Sequence, residues 1–131
     1  MPTTRPPMSL AALLAVDAAT CAGMGALLAL GAGPISTLTA LPAPFLVSAG
    51  IVLLPVAAFM AVFARARRVP GWAVLVVVAG NLAWVAASLA LPLSGAVAPN
   101  ALGWSALAAQ AMVVAGLAGL EWSAARRAAT A

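Results

Sequence analysis

The chain has 131 residues, of which 66% are hydrophobic and only 6% are charged, and its formal net charge is +4. A soluble domain is roughly 45–50% apolar and about 25% charged, and a domain of this size leaves too much of its surface exposed to hide so many apolar side chains. The composition therefore excludes a water-soluble fold and a disordered chain, and it predicts an integral membrane protein.

Four apolar segments follow one another along the chain, each close to the roughly 20 residues that cross about 30 Å of hydrocarbon. Inside a bilayer such segments must be helices, because no water is present to satisfy their backbone groups. Glycine or proline occurs in every connection between them, and short connections favour antiparallel packing of neighbouring helices. We therefore expect an all-α membrane protein, a four-transmembrane-helix bundle in which residues 1–131 form a single membrane domain. The predicted helices cover residues 9–30, 42–64, 71–91 and 101–123.

The first segment has an alternative interpretation as a cleaved signal peptide, with Arg5 in its positively charged region. Its apolar run continues to Leu30, which is longer than the apolar region of a typical signal peptide. Ala18 and Thr20 also fit poorly around Cys21 as a lipid-attachment site. We favour a membrane-spanning helix preceded by the polar leader 1–8.

All six arginines fall on one side of the four-span arrangement, in the leader, in the connection between the second and third spans, and in the tail. The other two connections carry no charge. The positive-inside rule then assigns both termini to the cytoplasm, and it explains the net charge without a nucleic-acid partner. Arginines after the second and fourth spans are candidates for contact with lipid head groups: Arg65, Arg67, Arg68, Arg126 and Arg127.

Missing residue types exclude most chemistry. The chain has no histidine, so it lacks the usual general base near neutrality, and it has no lysine for a Schiff base. One cysteine and two separated acids do not suit a transition-metal site. We therefore expect no enzymatic activity, no metal and no cofactor.

Asp17 is the most informative residue of the first span. A charged side chain at the centre of a lipid-facing helix costs about 2.5–3.5 kcal/mol, so Asp17 should face the bundle, pair with another group or hold a proton. Thr20, Cys21 and Met24 share its helix face. A structural hydrogen bond is the alternative to a functional role. Pro55 in the second span should kink that helix and either open space beside Asp17 or only shape the packing.

Two further spans carry uncharged polar side chains near their middle. Asn81 shares a face with Trp84 and Ser88, and Gln110 shares a face with Glu121 on the last span. Interhelical hydrogen bonds that hold the bundle together explain Asn81 and Gln110 without any functional role. Glu121 is expected near the interface, as a solvated or arginine-paired carboxylate. The functional alternative is a single inward-facing polar network, a candidate binding site formed by Asp17, Thr20, Asn81, Trp84, Gln110 and Glu121.

Three short motifs carry a resemblance: Gly80-Asn81-Leu82-Ala83-Trp84, Ala109-Gln110-Ala111, and Glu121-Trp122 followed by Arg126-Arg127. In these the chain resembles small four-helix bacterial membrane proteins without an assigned function. The resemblance implies the fold and residence in the bacterial inner membrane, and it implies no activity. The chain departs from the small multidrug-resistance exporters, which use a glutamate in the first helix and tyrosine-containing motifs.

These observations lead first to a non-catalytic multi-pass protein of the bacterial inner membrane that scaffolds or modulates a membrane partner. Its surroundings would be the lipid bilayer and either another membrane protein or further copies of itself. The alternative is a small proton-coupled transporter of a lipophilic or cationic substrate, which acts as an oligomer through Asp17. A third hypothesis is a protein that binds a quinone or pigment between its helices.

Overall fold

A computed structural model describes residues 5–131, so the first four residues of the predicted leader lie outside it. The described chain is entirely helical, without a strand in residues 5–131. Its helices are α1 (Leu10–Leu30), α2 (Ala32–Thr39), α3 (Ala43–Ala64), α4 (Gly71–Leu93) and α5 (Ala101–Thr130).

Local capping explains several helix ends. The Ser9 hydroxyl accepts a hydrogen bond from the Ala12 amide at 3.1 Å and begins α1, and the Asn100 side chain accepts one from the Gly103 amide at 2.9 Å and begins α5. Such side chains satisfy amides of the first turn, which have no partner within the helix. Pro42 and Pro70 stand immediately before α3 and α4. The predicted punctuation therefore matches the observed helix starts to within one residue.

Four of the helices are long and apolar enough to cross a membrane: α1, α3, α4 and α5. Large apolar side chains point outward from them, and Leu30, Val62, Leu93 and Met112 are each more than three-fifths exposed. Such a surface is typical of helices surrounded by lipid. The fold and composition together indicate a helical, multi-pass membrane protein.

The connection between the first two spans is itself partly helical, which the sequence analysis did not predict. Pro34 lies in the first turn of α2, where a proline is tolerated because the amides of that turn have no partner within the helix. Ala40, in a left-handed conformation with φ of 59°, ends α2. The Asn100 side chain then donates to the Leu38 carbonyl at 2.9 Å, which ties α2 to the start of α5.

The last two helices continue beyond their predicted ends. α4 extends through Pro92 to Leu93, and α5 runs to Thr130 instead of residue 123. The extension of α5 is rich in alanine and arginine, which favour helix outside an apolar environment as well as within it. The helix therefore does not end where the sequence loses its apolar character, after residue 123.

The closest backbone packing joins α1 to α3 and α4 to α5, and contacts between α1 and α5 connect the two pairs. Short connections were expected to favour sequential spans as neighbours, but α3 and α4 are not among the closely packed pairs. Near their short connection, the ring of Phe63 meets the edge of Trp72 with centroids 5.3 Å apart. Beyond this contact the two helices leave a cleft between them.

Glycine allows the close approach of α1 and α3. A Cβ atom added at Gly50 would lie 2.6 Å from the Gly25 carbonyl oxygen and 2.7 Å from the Ala29 amide nitrogen. Both contacts are with backbone, so no side-chain rotation relieves them. The pair α1–α3 therefore depends on a glycine at this crossing, as close helix contacts in membranes commonly do.

Gly50→Ala is expected to destabilise the protein by about 1–3 kcal/mol, the usual cost of overpacking. The free energy of unfolding in a neutral detergent measures this effect. Gly23→Ala is the matched control, because a Cβ at Gly23 meets nothing within 4 Å. Equal stability of the Gly50 and Gly23 variants would contradict the close crossing.

Candidate functional site

Three polar side chains from three helices meet inside the bundle. Asp17 of α1 is 1% exposed, Glu121 of α5 is 0% exposed and Asn81 of α4 is 6% exposed. The Asn81 amide nitrogen donates to Asp17 Oδ2 at 2.8 Å and to Glu121 Oε2 at 3.3 Å. We call Asp17, Asn81 and Glu121 the acid cluster.

The acid cluster lies in the half of the bundle nearer its arginine-bearing end, where the connection 65–70 and the end of α5 are found. At 1.5 Å per helical residue, Asp17 is about 10 Å from the start of α1 and Asn81 about 15 Å from the start of α4. Glu121 is about 14 Å from the end of α5. The antiparallel helices thus bring the three residues to similar depth.

The expectation that Glu121 is solvated or paired with an arginine is wrong. Its side chain is fully buried and hydrogen-bonded to Asn81 instead of being solvated or paired with an arginine. The continuation of α5 to Thr130 places Glu121 more than two turns before the helix end. Arg126 and Arg127 follow by five and six residues, so they leave the helix on other faces.

The acid cluster contains more acceptors than donors. Glu121 Oε1 is buried without a hydrogen-bond partner, whereas Asp17 Oδ1 accepts a weak hydrogen bond from the Cys21 thiol at 3.6 Å. Both carboxyl groups accept from the same Asn81 amide nitrogen, so they lie beside each other. Neither Asn81 nor Cys21 carries a positive charge, and burying two like charges without a counter-ion costs several kcal/mol per ion. A proton on one carboxyl would remove this repulsion and supply the missing donor.

The arrangement suits a proton better than a metal ion. The Asn81 amide nitrogen occupies the position between the carboxylate oxygens that a cation would need. The lone pair of a carboxamide nitrogen is delocalised into its carbonyl group, so this nitrogen donates hydrogen bonds and does not coordinate a cation. Among the described residues no group of three or more histidine, cysteine or acidic side chains comes together in a manner that suits a metal.

A second polar group connects α4 and α5 farther from the arginine-bearing end. The Trp84 indole donates to Gln110 Oε1 at 2.8 Å, and Gln110 Nε2 donates to the Ser88 hydroxyl at 2.8 Å. The single polar network predicted from the sequence is therefore divided into two groups. Trp84 and Gln110 belong to one group, and the two acids belong to the other. The bonds of Gln110 to Trp84 and Ser88 are of the interhelical kind expected to hold helices together, whereas its third bond, to the Leu107 carbonyl at 3.1 Å, lies within α5.

The cleft between α3 and α4 reaches both polar groups. It has a volume of about 600 Å³ and a mainly apolar lining that includes Pro55. The side chains that contribute polar atoms to the lining are those of Asn81, Cys21 and Trp84. A smaller cavity of about 310 Å³ shares Trp84 with it and extends to Gln110 and α2. The α3–α4 cleft is thus an apolar space that touches the donors of the acid cluster.

Three residues make hydrogen bonds that were not predicted from the sequence. The Thr20 side chain is exposed and donates to the Asp17 backbone carbonyl at 2.8 Å, so it is not part of the acid cluster. Cys21, predicted to share a helix face with Asp17, donates to the Asp17 carboxylate, and Ser88, predicted to share a face with Asn81, accepts from Gln110. The available signal was spacing alone, since Cys21 and Ser88 each follow a site residue by four positions.

The five candidate lipid-contacting arginines separate in space. Arg67, Arg68 and Arg126 line one depression at the arginine-bearing end. Arg65 instead lines a groove between α1 and α3, and Arg127 is exposed in the last turn of α5. Only three of the five arginines, two from the connection and one from the tail, therefore lie on a common surface.

Comparison of the chain with protein-family models, with curated proteins and with solved structures gave no match. Functional conclusions therefore follow from the geometry of the acid cluster and the α3–α4 cleft.

Proposed function

We propose that this chain is a proton-coupled membrane transporter, in which the acid cluster binds the proton and the α3–α4 cleft binds a lipophilic, cationic substrate. The observation that carries the proposal is the meeting of two buried carboxyl groups on one amide, Asn81, which also lines the cleft. Ionisable residues at membrane depth are costly, and in transport proteins they mark proton and substrate pathways.

The cleft supports a lipophilic substrate because its walls are almost entirely apolar and lie between two spans that do not pack closely. A molecule can then enter from the bilayer instead of from water. The positive charge follows from the acid cluster: when the pair releases its proton it becomes more negative, and a nearby cation compensates that charge. Proton and cation would thus compete for the same pair of carboxyls.

Location and orientation are part of the proposal. The arginine-bearing end would face the cytoplasm, with both termini there, in a bacterial inner membrane. Four spans offer little surface for a complete pathway, so the active form would be a homo-oligomer. This role requires no bond making or breaking in the substrate and therefore no catalytic residues.

Transport of tetraphenylphosphonium into proteoliposomes tests the proposal. With an acidic lumen, an exchanger of protons for lipophilic cations should accumulate this probe beyond the level reached in protein-free liposomes of the same lipid. A collapsed pH gradient should remove the difference. Accumulation equal to that of protein-free liposomes would argue against the transporter.

A groove between α1 and α3 supports scaffolding as a second candidate function. Alanines line it, among them Ala15, Ala19, Ala22 and Ala58, which are exposed. Small side chains let another helix approach closely in a membrane, so this face suits a membrane-protein partner or a second copy. Isolation in a mild detergent should then recover a specific complex that Ala19→Leu weakens, whereas a lone monomer would count against this role.

A further inference from the structure

A depression of about 900 Å³ lies at the arginine-bearing end, and we call it the arginine basin. It is bounded by the start of α1, the connection 65–70, the start of α4 and the last turns of α5. The residues that matter for its chemistry are Arg67, Arg68, Arg126, Trp122 and Ser9.

The arginine basin has no acidic side chain to balance its charge. The two acids of the chain are Asp17 and Glu121, and both are engaged inside the bundle through Asn81. Three exposed arginines from separate parts of the chain therefore line the basin without an acidic side chain among its walls. The basin has the charge of an anion site.

Two helix starts add to this potential. Leu10 of α1 and Gly71 of α4 both line the basin, and the N-terminal end of a helix carries a partial positive charge. No side chain caps the start of α4, although the Ala73 amide already donates to the Pro70 carbonyl at 3.0 Å. The partial positive charge of the helix starts adds to the positive potential of the arginines. The proposed site does not depend on the helix starts alone.

The other walls of the basin are apolar. Val69, Val74 and Leu75 line it beside Trp122, an indole at the end of the apolar part of α5, where such rings favour the membrane interface. A free phosphate ion would gain nothing from these side chains. A lipid would place its charged head group on the arginines and its glycerol and upper acyl chain on the apolar wall.

We propose that the arginine basin binds the phosphate head group of an anionic membrane lipid. The guanidinium groups of Arg67, Arg68 and Arg126 offer the paired N–H donors that match phosphate oxygens. This site is separate from the acid cluster and from the α3–α4 cleft, so it does not depend on the proposed transport. Bound lipid would join the ends of α1, α4 and α5.

The distribution of arginines supplies a matched control. Arg67→Gln/Arg126→Gln removes two charges from the basin, whereas Arg65→Gln/Arg127→Gln removes two charges outside it. The net charge of the protein changes equally in both. A difference between the pairs therefore reports the basin and not the overall charge. All four residues are exposed, and we expect both variants to unfold at the wild-type temperature in neutral detergent without added lipid.

Native mass spectrometry of protein titrated with lipid in neutral detergent tests the site. Phosphatidylglycerol should bind more tightly than phosphatidylcholine with the same acyl chains. At about 1 kcal/mol for each arginine near a charged lipid, Arg67→Gln/Arg126→Gln should weaken phosphatidylglycerol binding roughly 30-fold. Arg65→Gln/Arg127→Gln should change it far less.

Three results would overturn the proposal. Equal weakening by both pairs would reduce the effect to overall charge. Equal binding of the two lipids would remove the preference for an anionic head group. Displacement of phosphatidylglycerol by an equal concentration of inorganic phosphate would identify a soluble anion, and not a lipid, as the occupant.

Discussion

Asp17→Asn is expected to reduce proton-driven accumulation of tetraphenylphosphonium to the level of protein-free liposomes. The substitution keeps the size of the side chain and one of its two acceptor oxygens but removes one of the two groups that can hold the proton. The carboxyl of Glu121 remains, but it no longer has a second carboxyl beside it. Proton release therefore no longer creates the additional negative charge that a bound cation would compensate. Transport driven by a pH gradient should stop, while the protein still folds and inserts.

Glu121→Gln should have the same effect on transport, because the two acids share one donor and act as one unit. Thr20→Val is the matched control, because Thr20 is one turn from Asp17 on α1 but is exposed, and its hydroxyl donates to the Asp17 backbone and not to the carboxylate. Wild-type accumulation in the Asp17→Asn protein would remove Asp17 from the mechanism. Loss of accumulation in Thr20→Val as well would indicate damage to the helix instead of to the acid cluster.

Asn81→Leu is expected to destabilise the protein by about 3 kcal/mol, the range seen when one partner of a buried polar or charged group is removed. Without the amide, Asp17 Oδ2 and Glu121 Oε2 lose the donor that each receives from another helix. The free energy of unfolding in neutral detergent measures the loss.

A double-mutant cycle shows whether this cost arises in the acid cluster. In a background of Asp17→Leu with Glu121→Leu there is no carboxyl to satisfy, so the further change Asn81→Leu should cost much less. Leu82→Val, at an exposed position next to Asn81, should change stability little in either background. An equal cost of Asn81→Leu in both backgrounds would assign it to packing and not to hydrogen bonding.

The sequence predicted the parts of the fold that depend on composition. Apolar length set the four spans, and glycine and proline marked their starts. Asp17 was predicted to face the bundle because a lone acid near the middle of an apolar helix has few alternatives, and it is indeed buried. Asn81 was predicted as an interhelical hydrogen-bonding residue, and it bonds to two other helices.

Other features depend on tertiary packing, which periodicity does not determine. Glu121 was expected to be solvated because it lies near the end of the apolar stretch of α5, whereas the packing of α1 and α4 against α5 buries its side chain. The α3–α4 cleft follows from the close pairing of α1 with α3 at Gly25 and Gly50, and in sequence these glycines look no different from Gly23, which faces open space. Proline in the first turn likewise concealed α2.

The central claim is that Asp17 and Glu121 hold a proton between them inside the bundle. Infrared spectroscopy of the protein in lipid at neutral pH tests it directly, because a protonated carboxyl absorbs at a different frequency from an ionised carboxylate. With only two acidic side chains in the chain, the signals can be assigned by substitution. We predict a protonated-carboxyl band in the wild type that is absent in Asp17→Asn with Glu121→Gln. Identical wild-type and double-variant spectra in this region would contradict the account.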